Sequence, residues 1–224
     1  MATTPIIMPP LNGAITIPTI LDVVWLQDII QYALKRHENQ RDKYVDSGYY
    51  RHLAEVAALT AMIDPDLIKQ KYGFVAGRYQ IALFLQALGW GHDLIEDTGG
   101  YDGKTHLEIY SEIRTLFGQP YADSIAWLTD QEWEGNRAVR KAQAAVRMGN
   151  APGFIQSVKY CDCMSNTRTI ARYDEAFAGT YLDEIRHKTE FMIEGDRKVR
   201  DMLLDQLNEL GAYLATPRPQ PLKT

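Results

Sequence analysis

The sequence predicts an all-α protein, a single domain of about eight helices. Three observations carry this. Apolar residues recur at three- and four-residue steps through most of the chain. No segment shows the period-two alternation of a strand. Proline and glycine clusters cut the chain into pieces of helical length. At 224 residues one domain is the expectation, and 46% hydrophobic with 24% charged residues excludes disordered and low-complexity classes.

Residues 1–20 read as an extended arm, because Pro9, Pro10 and Gly13 break any helix there. The helical domain covers 21–214, and 215–224, with three prolines, reads as a disordered tail. A first helix runs from Leu21 to about Arg41, with Val24, Trp25, Ile29, Tyr32 and Ala33 as its stripe. Asp46, Ser47 and Gly48 supply turn chemistry. A second helix starts near Tyr50 and carries Leu53, Val56, Ala57 and Thr60, and Asp64-Pro65 ends or restarts it. A short helix and a loop fill 64–80. The run from Ile81 to Ile95 is apolar nearly all round, a central helix stopped by Gly99-Gly100. Thr105–Phe117 is amphipathic, Gly118-Gln119-Pro120 breaks it, and Tyr121–Leu128 resumes. Further helices follow over Arg137–Met148, from Pro152 through Ile170, and as one long final helix over Tyr181–Leu214.

The net charge of −5, from 24 Lys+Arg against 29 Asp+Glu, argues against a nucleic-acid partner. It leaves room for a phosphate-rich small molecule, which needs only a local basic cluster or a metal. Cys161 and Cys163 form no disulfide framework, read as packing residues and fit a reducing compartment. Met1–Ile20 lacks the basic start and unbroken apolar core of a signal peptide, and no stretch of about 18 apolar residues exists to span a membrane. The expectation is a cytoplasmic protein with no membrane partner.

Of five histidines, His92 is the informative one. It opens the run His92-Asp93-Leu94-Ile95-Glu96-Asp97-Thr98 at the end of an apolar helix. On a continued helix His92 and Glu96 share one face, and Asp93 and Asp97 the adjoining face. Two readings stand. One is a solvated helix end, though acidic groups there oppose the helix dipole. The other is a divalent-metal site, where an ion neutralises clustered carboxylates and accepts imidazole nitrogen. A second cluster spans Lys159 to Thr169, with Asp162 and Asn166 on one face. By itself it reads as a surface turn of helix. His37, His106 and His187 sit among polar neighbours and read as ordinary histidines. Arg137, Arg140, Lys141 and Arg147 read as a solvated face, and Trp25, Trp90, Trp127 and Trp133 as core.

Together the two clusters resemble the HD-domain metal-dependent phosphohydrolases, above all the hydrolase domain of the RelA/SpoT family and the stand-alone small alarmone hydrolases. The His-Asp-x-Ile-Glu-Asp-Thr run stands as His92–Thr98, and the Lys-x-x-Asp-x-x-x-Asn-x-Arg-Thr run as Lys159–Thr169. The earlier Tyr-x-x-His is matched by Tyr49–His52, with Val56-Ala57 following, and the Ile-x-x-x-Phe-Gly segment by Ile113–Gly118. The likeness spans roughly residues 25–195. It implies an HD-type helical fold and His52, His92, Asp93 and Asp162 as ligands of Mn²⁺ or another divalent cation. It also implies Glu96 and Asp97 as the catalytic pair acting on a metal-activated water. Asn166 resembles the nucleotide contact, and Lys159, Arg41 and Lys43 are candidate phosphate partners. Tyr49 and Tyr50, near His52, are the candidates to stack a nucleobase, with Tyr50 assigned to the site. The implied activity is removal of the 3′-pyrophosphate from guanosine tetra- or pentaphosphate. The chain departs from the family at Leu53, which replaces a proline, at Arg51 and Cys163, and in a longer His52–His92 stretch with an insertion around 64–80. That insertion, with Lys69, Lys71, Tyr72 and Arg78, is expected to shape substrate choice. The departures keep two alternatives open: an HD phosphohydrolase of another nucleotide, such as a (deoxy)nucleoside triphosphate, and a nucleotide-binding regulator without turnover.

Overall fold

The computed structural model describes residues 23–98, 102–130 and 135–216. The expected N-terminal arm, Trp133 and all but the first two residues of the expected tail lie outside them. The described residues form ten α-helices and no strand. These are α1 (Val23–Arg36), α2 (Tyr50–Leu59), α3 (Pro65–Tyr72), α4 (Arg78–Gly91), α5 (His106–Phe117), α6 (Gln119–Leu128), α7 (Arg137–Gly149), α8 (Gly153–Tyr173), α9 (Glu175–Phe191) and α10 (Arg197–Ala215). None is long and apolar enough to cross a membrane.

Local chemistry sets several boundaries. Asp64 caps α3 by accepting from Asp66 N, with Pro65 in the first helical position. Thr105 and Glu108 close a reciprocal capping box on α5. Asn136 and Asp174 cap α7 and α9. Two helices are central. α4 packs against α1, α2, α3, α6 and α8, and α8 against α2, α4, α6, α9 and α10. Their bodies carry Ile81, Phe84, Leu88, Phe154, Ile155 and Val158, all essentially fully buried.

Three expectations change. The first helix stops at Arg36, and the chain from His37 to Tyr49 is a folded loop. It is closed by Asp42 N donating to Ser47 O and Tyr49 N donating to Gln40 O, both at 3.0 Å. The long final helix is two, because Asp196 turns back to accept from Lys198 N and Val199 N and starts α10 afresh. The apolar helix ends at Gly91 rather than running past Ile95. Residues 92–98 wind in tight turns, with Leu94 N donating to Gly91 O. Carboxylates at a helix C-terminus are unfavourable, and fully buried Leu94 and Ile95 pull the turn into the core.

Gly89 fixes how α2 meets α4. A Cβ there would lie 2.6 Å from Ala57 Cα and 2.8 Å from Ala57 N. Its absence lets the two backbones touch, which brings His52 on α2 against His92 just past α4.

Candidate metal centre

His52, His92, Asp93 and Asp162 converge from three elements. His52 Nε2 and His92 Nε2 lie 3.1 Å apart. Asp93 Oδ2 is 2.8 Å from His92 Nε2 and 3.6 Å from His52 Nε2. Asp162 Oδ1, on α8, is 3.3 Å from His52 Nε2 and 3.6 Å from His92 Nε2. Ligand atoms about 2.0–2.2 Å from one ion, at tetrahedral or octahedral angles, stand roughly 2.8–3.6 Å apart. The imidazole–imidazole and imidazole–carboxylate separations match that spacing to within a few tenths of an ångström, and His52, His92 and Asp93 form a group able to hold a metal, with Asp162 facing both imidazoles.

The outer contact of His92 sets its tautomer. His92 Nδ1 lies 2.8 Å from Gly89 O, and a carbonyl can only accept, so Nδ1 carries the proton and Nε2 turns a lone pair into the cluster. His52 Nδ1 lies 3.0 Å from Ser165 Oγ. Tyr49 Oη donates to Asp93 Oδ2 at 2.6 Å. Lys159 Nζ stands 2.7 Å from Asp162 Oδ2, and Asn166 Nδ2 donates to Asp162 Oδ1 at 2.6 Å. Two facing imidazole nitrogens and two carboxylates in a buried space need positive charge among them. The titration behaviour agrees. Burial opposes a charged His92, yet Asp93 and Asp162 raise it well above the ordinary histidine range. His52 is raised the same way, against burial, by Asp162 and Asp93. Burial also disfavours the charged forms of Asp93 and Asp162, but His92 and Lys159 respectively lead in holding them well below the usual carboxylate range. A proton or a divalent cation would supply that charge.

A pocket of about 250 Å³ opens onto the cluster, lined by Asp93, Glu96, Asp97, Lys159, Asp162 and Asn166 among others. Glu96 Oε2 accepts from Asp130 N at 2.8 Å. Burial and the Asp130 carboxylate push Glu96 up to about 7. Asp97 is raised by burial and by Asp93, and Gln40 Nε2 donates to it at 2.7 Å.

The structure thus gathers eight of the eleven expected site residues. Arg41, Lys43 and Tyr50 are not among them. Arg41 is exposed and paired with Asp46. Lys43 is exposed, donating to Tyr44 Oη at 2.8 Å and pairing with Asp174 at 3.4 Å. Tyr50 is 53% exposed and folds back over Gly48. Tyr49 lines the pocket instead. The folded loop after α1 carries these side chains, and motif spacing could not orient it. The 64–80 stretch also lies elsewhere. Lys71 holds Glu194, Tyr72 Oη accepts from Gly153 N at 2.7 Å, and Arg78 pairs with Asp66. That stretch clamps the start of α8 and lines no part of the pocket.

Other readings are corrected too. The Lys159–Thr169 segment is interior: Lys159 is 8% and Asp162 5% exposed. Arg137, half exposed, and Lys141 line the pocket, and Arg147 caps α6 by donating to the carbonyls of Ala126, Trp127 and Thr129. His37 is buried, stacks on Tyr49 at 5.2 Å and meets Gln40 at 2.5 Å, so it backs the loop that reaches Asp97. Asp130, Tyr181 and Lys188 also line the pocket, and no motif had marked them.

No protein-family model matches the sequence, and no curated protein matches it. The structure is similar to a solved one, a metazoan ortholog of SpoT that hydrolyzes ppGpp and plays a role in starvation responses. The match has a TM-score of 0.65 at 16% identity and covers 85% of this chain and 97% of that one. Likeness at this identity speaks to architecture: the chain has the all-helical fold of that SpoT ortholog.

Proposed function

We propose that the chain is a metal-dependent phosphohydrolase that removes the 3′-pyrophosphate from guanosine tetra- or pentaphosphate. The observation that carries this is the convergence of two imidazole nitrogens and two buried carboxylates, at ligand spacing, beside a pocket carboxyl at about 7. The activity of the SpoT ortholog with the same fold supports the choice of substrate.

His52, His92, Asp93 and Asp162 would hold the ion, and the mixed N/O donor set suits Mn²⁺ or a similar divalent cation. Such a cation, when bound, lowers the pKa of water and offsets charge building on the phosphoryl oxygens. The chain does the rest. Glu96 takes up the proton of the attacking water, since a carboxyl near 7 exchanges protons readily at neutral pH. Asp97, held by Gln40, orients that water. Lys159 offsets charge on the transferred group. Tyr49 and Asn166 keep Asp93 and Asp162 in place.

A second reading, an HD phosphohydrolase of another phosphorylated nucleotide, is favoured by one observation. Arg41, Lys43 and Tyr50, three of the expected substrate contacts, lie outside the pocket. Purified protein with Mn²⁺, tested against alarmones and nucleoside and deoxynucleoside triphosphates, separates the two. Pyrophosphate released from an alarmone is the expected result. Phosphate or triphosphate released only from ordinary nucleotides transfers the assignment to the second reading. Tight binding with no turnover defeats both.

A further inference from the structure

Lys188 on α9 is 5% exposed and lines the pocket. It shares a helix face with Tyr181, Glu184 and Ile185, which line the same wall. The other pocket cations each have a carboxylate. Lys159 stands 2.7 Å from Asp162, Arg137 donates to Glu184 at 2.6 Å and 2.9 Å, and Lys141 lies 3.1 Å from Asp130. Among the described residues no carboxylate comes within ion-pair distance of the Lys188 ammonium, and none accepts a hydrogen bond from it. The Lys188 stem is buried while its ammonium reaches the open space of the pocket, where it can meet an anionic group.

We propose that Lys188 binds an anionic group of the substrate, a phosphate other than the one attacked at the His52–His92 centre. The inference rests on the phosphohydrolase reading and narrows its substrate class. Lys188 approaches from α9, where Asp130 and Cys163 feel its charge, whereas the metal ligands come from α2, the turn after α4, and α8. A nucleotide with two or more phosphates satisfies both places. A nucleotide with a single phosphate leaves Lys188 without its anion.

The test is calorimetric titration of inorganic pyrophosphate into the full chain with Mn²⁺, comparing wild type, Lys188→Met and Lys188→Arg, with folding checked by circular dichroism. A charge-assisted contact of this kind predicts roughly 10–100-fold weaker binding in Lys188→Met, most of it recovered in Lys188→Arg, with metal content unchanged. Where Lys188→Met does not fold, Lys188→Gln, which keeps most of the length and a donor, takes its place with the same expectation. Unchanged pyrophosphate affinity in a folded Lys188→Met or Lys188→Gln protein overturns the proposal. So does a Lys188→Met protein whose only defect is stability that Asp130→Asn restores, since Lys188 is then merely the counter-charge of Asp130. Pyrophosphate binding needs no turnover, so this result and that of the substrate panel fail independently.

Discussion

In the proposed reaction Glu96 is the proton acceptor, and its burial is what suits it to that role. Its carboxyl sits against the Asp130 backbone, and burial with the Asp130 charge lifts it to about 7. Glu96→Gln keeps the shape and removes the group that takes up a proton. Turnover at saturating substrate should fall by about 10²–10⁴-fold while bound metal, measured by elemental analysis, stays the same. Asp97→Asn should cost less, because Asp97 orients rather than accepts. The pH profile follows with a definite sign. As the proposed base Glu96 would work deprotonated, so kcat should fall as pH drops through its midpoint, by about tenfold per unit below it. A bound cation draws that midpoint below 7. In Glu96→Gln this acid limb disappears, and an unchanged limb would assign it to another group. Glu96 could be picked from the His92–Thr98 run alone. Its elevated pKa could not, because the burial and the Asp130 charge that raise it come only through the fold.

At the scale of elements, the site depends on how closely α2 and α4 approach. Gly89→Ala places a methyl against the Ala57 backbone, which has no side-chain freedom to yield. The variant should lose about 1–3 kcal/mol by chemical denaturation. It should also bind metal more weakly, because His52 and His92 move apart. Full stability with intact metal affinity would show that the crossing does not set the cluster. Elements differed in how plainly the sequence announced them. The body of the apolar helix from Ile81, the Asp64-Pro65 restart and the Thr105 cap could all be read from periodicity and capping chemistry. The end at Gly91 could not, because the pull of buried Leu94 and Ile95 on the turn is tertiary. The same holds for the loop from His37 to Tyr49. The motif fixed His52 at its end, but only the backbone path shows that Tyr49 faces the pocket while Tyr50, Arg41 and Lys43 face solvent. The break at residues 192–196 was hidden by apolar periodicity that continues on either side of it.

At the scale of the whole molecule, the proposed metal binding would be linked to folding through the protons on the cluster. His52 and His92 have folded-state pKa values above their ordinary 6.5. The stability they contribute without metal is complete below about pH 6.5 and is lost as pH rises through the raised values. Glu96 acts in the same direction between its ordinary 4.5 and about 7. Asp93 and Asp162, shifted down, lose their contribution only in acid. Chelated protein should therefore melt lower at about pH 8.5 than at about pH 6.5. Mn²⁺ needs neutral imidazoles, so its stabilising effect should be larger at the higher pH. At a hundredfold excess over Kd the gain is about 2.7 kcal/mol, roughly 5–10 °C in a chain of this size. An equal shift at both pH values would contradict the linkage. The most direct test of the central claim is metal stoichiometry across the ligand set. Wild type, His52→Ala, His92→Ala, Asp93→Ala and Asp162→Ala are each dialysed against Mn²⁺ and counted by elemental analysis, with folding checked by circular dichroism. The four-residue centre predicts one tightly held ion per wild-type chain and its loss from every folded variant. A folded His52→Ala or Asp162→Ala protein that still holds one ion with wild-type affinity would contradict it.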